Sequence, residues 1–267
     1  MADGKPEKRR PKDSVAHTIT VAVLVSLACS VLVSAAAILL KPMQEQNQER
    51  FRQRIVLEVA GLYEPGVDVA ERFAQIEPRL VDVETGEYID AADPAGFDFV
   101  AAAGDPQSGV RVPEEQDVAG IQRRARTMPV YLVRSNGEID QVILPVYGKG
   151  LWSTLYGYLA LDDDGSTVLG LRFYEHAETP GLGDQIDKDA WRDQWFEKRL
   201  FDETGALRIE VVRGKVLRGP DAIHQVDGLS GATLTGRGVM NLVRYWAGSH
   251  GYGPYLERLK EQADDNG

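Results

Sequence analysis

The sequence is poor in the residues that hold metals and disulfides. One cysteine, Cys29, occurs in 267 residues, so no disulfide and no four-cysteine iron–sulfur cluster can form within the chain. The four histidines are scattered without metal-ligand spacing, and no metal site is expected. Neither the GxGxxG pattern nor the Walker A pattern occurs, so ordinary dinucleotide or NTP binding lacks its signature.

An excess of positive charge is also absent. The chain has 30 Lys+Arg against 41 Asp+Glu, a net charge of −11, which argues against a nucleic-acid partner because phosphate contacts need clustered Lys and Arg.

The charge is unevenly distributed, since residues 18–40 contain no charged side chain. At about 1.5 Å per residue this run reaches roughly 34 Å, enough for one transmembrane helix. A cleaved signal peptide is the alternative, because Ala35–Ala37 offers small residues for cleavage.

The charges on either side of this run predict its orientation. Residues 1–16 carry a net charge of +2, whereas the residues beyond Lys41 carry 24 Lys+Arg and 38 Asp+Glu, a net charge of −14. Because positive residues favour the cytoplasmic side, we expect a cytoplasmic N-terminus, a single pass through the cell inner membrane and a periplasmic main domain. Cys29 lies within the span, so the outer body has no thiol, which suits the periplasm.

Beyond the span, the patterns predict an antiparallel α+β body. Residues 42–63 have apolar residues at helical spacing and predict a helix that Tyr63-Glu64-Pro65-Gly66 ends. Residues 67–127 are mixed, with no catalytic constellation. From residue 129 the patterns predict strands at 129–133, 141–146, 156–161, 168–174 and 207–212, with a hairpin turn at 135–137 between the first two. They also predict helices at 191–198 and 238–247, and this order is unlike the regular βαβ order of a doubly wound fold. We therefore predict five segments: a basic N-terminus (1–17), the transmembrane helix (18–40), a juxtamembrane helix with a connecting subdomain (41–128), the main functional domain (129–260) and a polar tail (261–267).

Three glycine-rich segments carry the chemical information. The segment 227–236, DGLSGATLTG, stands before a predicted helix, where free backbone N–H groups suit a phosphate. Ser and Thr also cap helices commonly, so a simple N-cap is the alternative. The segment 178–183, ETPGLG, reads as a type II turn, and 147–153, YGKGLWS, places Trp152 between two strands. Taken alone, 178–183 is typical of a connecting turn, and Trp152 is typical of a core aromatic residue.

Together these segments resemble a known family. Asp227–Thr233 matches the attachment motif of proteins that carry FMN bound through its phosphate to threonine. The combination with the other two segments and with Tyr245–Leu256 is similar to the C subunits of sodium-translocating NADH:quinone oxidoreductases. This resemblance covers nearly the whole chain. The attachment motif alone also fits the related FMN subunit of Rnf complexes.

The resemblance implies an FMN-binding domain with named site residues. Thr233 would form the phosphoester to FMN, and Thr235 is the other candidate hydroxyl. Backbone approach to the phosphate would involve Ser230, Gly231 and Ala232. Leu151 and Trp152 would lie by the isoalloxazine, and its rim would be bordered by Glu178, Thr179, Gly181, Leu182 and Gly183. His176 is a further candidate for the rim, and Asp227 is a candidate for recognition by a flavin transferase.

The function that the resemblance implies is electron relay within a membrane complex that pumps sodium. FMN would carry the redox chemistry, so the chain holds no complete active site of its own. Partner membrane subunits, including a second FMN subunit and an iron–sulfur-bearing pair, would supply the other steps, and a flavin transferase would attach the cofactor. The competing interpretation is a membrane-tethered, non-redox binding module whose Ser/Thr-rich turn only caps a helix.

Overall fold

The computed structural model describes residues 15–90 and 93–266 and divides the chain into two units, residues 1–49 and 50–267. Most of the basic segment predicted at 1–17 therefore lies outside the described residues. The first helix, α1, comprises Val15–Val59. It is long and apolar enough to cross a membrane, and residues 18–40 are exposed along their whole length. The predicted single apolar helix is confirmed.

The juxtamembrane part of α1 ends four residues earlier than predicted. The helix stops at Val59, and Gly61 follows at φ +69°. The Leu62 N–H donates to the Leu57 carbonyl over 2.8 Å, which closes the last turn in the manner of a glycine C-cap. The end predicted at Tyr63 was wrong because Gly61, and not the later Pro65-Gly66, supplies the left-handed residue.

One antiparallel sheet forms the centre of the second unit. Its strand order is β2-β1-β5-β6-β7-β8, and Asn136 and Gly137, both at positive φ, form the predicted hairpin between β5 and β6. The sheet strands are β1 (Glu77–Asp82), β2 (Tyr88–Ile89), β5 (Thr127–Ser135), β6 (Glu138–Lys149), β7 (Thr154–Asp162) and β8 (Val168–Glu175). Two short pairs stand apart: β3 (Gly109–Arg111) with β4 (Arg123–Ala125), and β9 (Glu210–Val211) with β10 (Gln225–Val226).

Helices cover both faces of this sheet. The short helices are α2 (Val69–Phe73), α3 (Phe99–Gly104) and α4 (Asp189–Arg192), and the longer ones are α5 (Thr233–Ala247) and α6 (Gly253–Asn266). Val142, Leu144 and Val146 of β6 pack in a core shared with α5, whereas Ile143 packs against the end of α1. This alternation follows from the two-residue period of a strand. The predicted α+β class with an antiparallel sheet is confirmed.

Several predicted elements differ in extent. The helix expected at 191–198 is α4 followed by a 3₁₀ turn at Asp193–Trp195, and Glu197 then takes φ +62°. The strand expected at 207–212 is only Glu210–Val211. Helix α6 was not predicted, and both Tyr255 in its first turn and the preceding Tyr252 are buried in the core. The segment boundaries at 41–128, 129–260 and 261–267 stay predictions.

Helix α5 begins at Thr233, five residues before the predicted start at Gly238. Gly236 and Gly238 have low helix propensity, which is why the sequence favoured a later start. Gly238 is required by packing, because a Cβ there would lie 2.6 Å from the Lys149 carbonyl oxygen. This close approach seats the N-terminal half of α5 against the end of β6.

Candidate functional site

The three glycine-rich segments meet at one end of strands β6, β7 and β8. The loop 150–153 joins β6 to β7, and residues 176–182 follow β8, whose end Glu175 pairs with Tyr156 of β7. The third segment leads into α5, which packs on the end of β6. Antiparallel pairing thus brings the first two loops together, and the packing of α5 on β6 adds the third segment, whose Thr233 lies more than fifty positions beyond residue 182.

The buried carboxylate of Glu178 links all three segments. Its Oε1 accepts hydrogen bonds from the backbone N–H groups of Leu151 (2.9 Å) and Trp152 (3.1 Å). Its Oε2 accepts a hydrogen bond of 2.5 Å from the hydroxyl of Thr235. Glu178 is 5% exposed and Thr235 is fully buried. The placement of Glu178 at a flavin rim, which the resemblance implies, stays a prediction, and the structure shows in addition that its carboxylate joins the three segments.

Large apolar side chains stand exposed around this junction. Trp152 is 69% exposed, Leu234 54%, Leu182 44% and Leu151 40%. The Trp152 ring is nonetheless fixed, because its Nε1–H donates to the Thr179 hydroxyl over 2.9 Å. An exposed and oriented apolar surface of this kind is unusual on a soluble domain unless something binds there. Of these four residues, the sequence reasoning missed only Leu234.

The segment before α5 leaves Thr233 accessible and Thr235 occupied. Thr233 is the first residue of α5 and is exposed, while Thr235 points inward to Glu178. The N-cap is Ala232, and no side chain among the described residues caps this end of the helix. The alternative that Ser and Thr of this segment merely cap the helix is therefore wrong. The backbone N–H groups of the first turn remain available to an acceptor.

The remaining predicted residues shape the approach to Thr233. Gly231 takes φ +74°, and a Cβ there would lie 3.0 Å from Leu182, so the two loops touch where only glycine fits. The Gln185 side-chain amide donates to the Ser230 carbonyl over 3.2 Å, a contact that the sequence did not indicate. Ser230 itself is exposed and Ala232 is buried.

The predicted type II turn holds the opposite loop. The Leu182 N–H donates to the Thr179 carbonyl over 3.1 Å, and Gly181 takes φ +77°, as the third residue of such a turn requires. A Cβ on Gly183 would lie 2.8 Å from Glu178 Oε2 and 2.9 Å from the Thr235 hydroxyl. Gly183 therefore leaves room for the hydrogen bond that joins this loop to α5.

Asp227 has a structural role that the sequence did not predict. Its carboxylate accepts hydrogen bonds from the Val216 N–H (2.7 Å) and the Lys215 ammonium (2.6 Å). Burial acts to raise the pKa of Asp227, but these two bonds together lower it. The carboxylate thus fixes the loop 213–216 beside the start of α5.

His176 connects the Glu178 loop to the 3₁₀ turn Gly183–Asp187. Its Nε2 lies 2.7 Å from Asp187 Oδ2, and its Nδ1 accepts from the Glu178 N–H over 3.2 Å. The hydrogen bond with Asp187 raises the pKa of His176 above its ordinary value of 6.5, and the nearby carboxylates of Glu178 and Asp184 add to this. Partial burial and the Glu178 amide favour the neutral ring, but the carboxylates outweigh them. The placement of His176 at a flavin rim stays a prediction.

The pKa of His176 predicts a pH-dependent contribution to stability. Because the folded state binds the proton more tightly than the unfolded state, this contribution is fully present below the unfolded pKa. It is lost as the pH rises through the folded pKa. The free energy of unfolding of the wild type should therefore exceed that of His176→Gln by more at about pH 5.5 than at about pH 8.5.

Urea unfolding at the two pH values measures this difference, and His250→Gln, at an exposed position, is the control. A difference between wild type and His176→Gln that grows as the pH rises would contradict the prediction.

The described residues fit a flavin phosphate better than a metal. No group of three or more His, Cys, Asp and Glu among them could hold a metal ion. By contrast, the start of α5 offers an exposed hydroxyl and uncapped N–H groups next to an apolar surface of Leu and Trp. Such a combination suits an anionic group linked to a planar aromatic ring.

Comparison with known proteins identifies the domain and its relatives. Residues 150–248 match the family described as FMN-binding domain. The C subunit of the Na(+)-translocating NADH-quinone reductase of Yersinia pestis is 46% identical over 272 residues, covering 100% of both chains. The C subunit of the reductase of the same name from Pseudomonas aeruginosa is 45% identical, covering 94% of this chain and 98% of that protein.

Solved structures of the same family share the fold. The crystal structure of Shewanella oneidensis NqrC matches with a TM-score of 0.75 and 36% identity, covering 81% of this chain and 99% of that chain. The C subunit from Parabacteroides distasonis matches with a TM-score of 0.63 and 28% identity, covering 81% and 96%. The chain therefore belongs to the family of C subunits of Na(+)-translocating NADH-quinone reductases and contains its FMN-binding domain.

Proposed function

We propose that this chain is the electron-transferring C subunit of a sodium-translocating NADH:quinone oxidoreductase and that its FMN is attached to Thr233 by a phosphoester. The names of its relatives and the match of residues 150–248 support the first part. These relatives favour the quinone reductase over the Rnf-type alternative. The second part rests on the geometry at the start of α5.

The observation that carries the attachment site is the contrast between two hydroxyls. Thr233 is exposed at the first residue of α5, whereas Thr235 is fully buried and its hydroxyl donates to Glu178. A transferase that acts on the folded domain can reach only the first of these. The uncapped N–H groups beside Thr233 would also stabilise the negative charge of a phosphodiester.

The surrounding residues would hold and shield the ring. When bound, FMN supplies one- and two-electron redox chemistry. Leu151, Trp152 and Leu182 present exposed apolar surface on which an isoalloxazine can pack. Thr179 fixes the Trp152 ring through its hydroxyl, and Glu178 fixes the backbone of the loop 151–152. The protein therefore contributes orientation and partial exclusion of water.

The proposed placement is a single pass through the cell inner membrane, with the N-terminus in the cytoplasm and the main domain in the periplasm. The uncharged α1 segment at 18–40 and the charge difference on its two sides support this arrangement. The proposed partners are the other membrane subunits, including a second FMN subunit and an iron–sulfur-bearing pair. A flavin transferase would be needed for maturation.

Intact mass of the full-length chain tests the proposal. When the chain is produced together with a flavin transferase, we expect its mass to increase by one FMN less one water, and the yellow colour to survive denaturation. The same chain produced without the transferase is the control and should have the unmodified mass. Unmodified chain in both preparations would rule out the covalent attachment.

A further inference from the structure

Two arginines beside Thr233 have no partner in the described part of the chain. Arg213, in the loop after β9, and Arg237, on α5, line one cavity of about 390 Å³ together with Thr233. Both arginines are exposed. Among the side chains described, those of residues 15–90 and 93–263, neither has an ion-pair or side-chain hydrogen-bond partner. Neither arginine was predicted from the sequence.

The two arginines concentrate positive charge in a negative body. The residues beyond Lys41 carry a net charge of −14, whereas two nearby cations are neutralised, since Lys215 pairs with Asp227 and Arg208 with Asp221. The acidic residue of the cavity lining is Glu210, whose Oε1 accepts a hydrogen bond of 2.8 Å from the Gln225 amide. The lining therefore has a net charge of +1 within a strongly negative domain.

Backbone contacts hold the two arginines on either side of the attachment segment. The Gly228 N–H donates to the Gly214 carbonyl over 2.7 Å, and a Cβ on Gly228 would lie 2.3 Å from the Val212 carbonyl oxygen. The loop that carries Arg213 is thus held against the segment that leads to Thr233. Arg237 follows Thr233 by four residues on α5, so the two lie on the same helix face.

We propose that Arg213 and Arg237 bind the phosphate group of FMN and position it beside Thr233. This inference rests on the proposed function, because it concerns the ligand of the same site. Guanidinium groups match the planar, forked geometry of phosphate oxygens and stay charged at all relevant pH values. In the attachment step the Thr233 hydroxyl would lose its proton and form an O–P bond to the flavin phosphate, while a flavin-dinucleotide donor held by the transferase would lose its P–O–P bond and release a protonated nucleoside monophosphate. The arginines would hold the flavin phosphate in this step and balance the charge of the phosphodiester afterwards.

Comparison of FMN with riboflavin tests this role, because the two differ only in the phosphate. The full-length chain, produced in detergent without a flavin transferase, is titrated with each ligand and followed by flavin fluorescence. We expect FMN to bind roughly tenfold more tightly than riboflavin at low salt, and this preference should shrink as the salt concentration rises.

The double variant Arg213→Gln, Arg237→Gln should lose the preference for FMN while its affinity for riboflavin stays unchanged. Arg218→Gln, exposed in the same loop but outside the cavity lining, should retain it.

Several results would overturn this inference. These are equal binding of FMN and riboflavin by the wild type, no measurable binding of either ligand, a preference that survives in the double variant, or its equal loss in Arg218→Gln. The covalent attachment is judged separately, by intact mass after production with the transferase. An arginine-dependent preference without a mass increase would refute the attachment alone, and a mass increase without the preference would refute the role of the arginines alone.

Discussion

Thr233→Val is expected to abolish all flavin that survives denaturation while leaving the domain folded. Valine keeps the branched shape of threonine but lacks the hydroxyl that forms the phosphoester. Thr233 is exposed at the start of α5, and no side-chain hydrogen bond caps this end of the helix in the described part of the chain. The substitution should therefore change the free energy of unfolding by no more than about 0.5 kcal/mol. The measurement is flavin absorbance of the denatured chain after production with a flavin transferase.

Thr235→Val is the matched control, because it makes the same chemical change two residues away. It removes the donor to Glu178 Oε2 but leaves that carboxylate with its two backbone donors. We expect full retention of covalent flavin and a loss of about 1 kcal/mol in the free energy of unfolding. Flavin that persists in Thr233→Val but disappears in Thr235→Val would move the attachment to Thr235.

Glu178→Ala is expected to destabilise the domain by about 3 kcal/mol and to loosen the loop that carries Trp152. The reason is that three donors lose their acceptor together: the backbone N–H groups of Leu151 and Trp152 and the hydroxyl of Thr235. Glu178 is 5% exposed, so water replaces its carboxylate poorly. Urea unfolding of the full-length chain in detergent, followed by circular dichroism, gives the change in free energy.

Two variants make this result interpretable. Glu175→Ala removes an exposed carboxylate three residues earlier at the end of β8 and should change the free energy of unfolding by less than about 0.5 kcal/mol. Glu178→Gln keeps one acceptor oxygen and the side-chain shape, so its loss should lie between those of the two alanine variants. Equal stability of Glu178→Ala and Glu175→Ala would contradict the joining role of Glu178.

Local patterns were enough to predict much of the framework. The uncharged run 18–40 predicted the apolar helix because no other element needs such length without charge. Asn136-Gly137 predicted its hairpin because both residues tolerate the positive φ that the turn requires. The start of α5 could not be predicted in this way. Gly238 disfavours a helix locally, and the packing that requires it involves the Lys149 carbonyl, far away in the chain.

The residues of the site, like the framework, could be predicted only in part. The family resemblance named Glu178, Trp152 and Thr233, but the residues alone left Thr233 and Thr235 as alternatives, since both are hydroxyls in one short segment. Only the fold shows which of them is buried against Glu178. Arg213 and Arg237 were missed because no spacing connects them. They share a cavity only through the contact of Gly214 with Gly228 and the packing of α5.

Peptide mapping tests the central claim most directly. Trypsin cleavage after Arg218 and Arg237 releases residues 219–237, which contain Ser230, Thr233 and Thr235. Fragmentation of this peptide from chain produced with a flavin transferase should place one FMN, attached through phosphate, on Thr233. An FMN on Ser230 or Thr235, or its absence from this peptide, would contradict the proposed attachment.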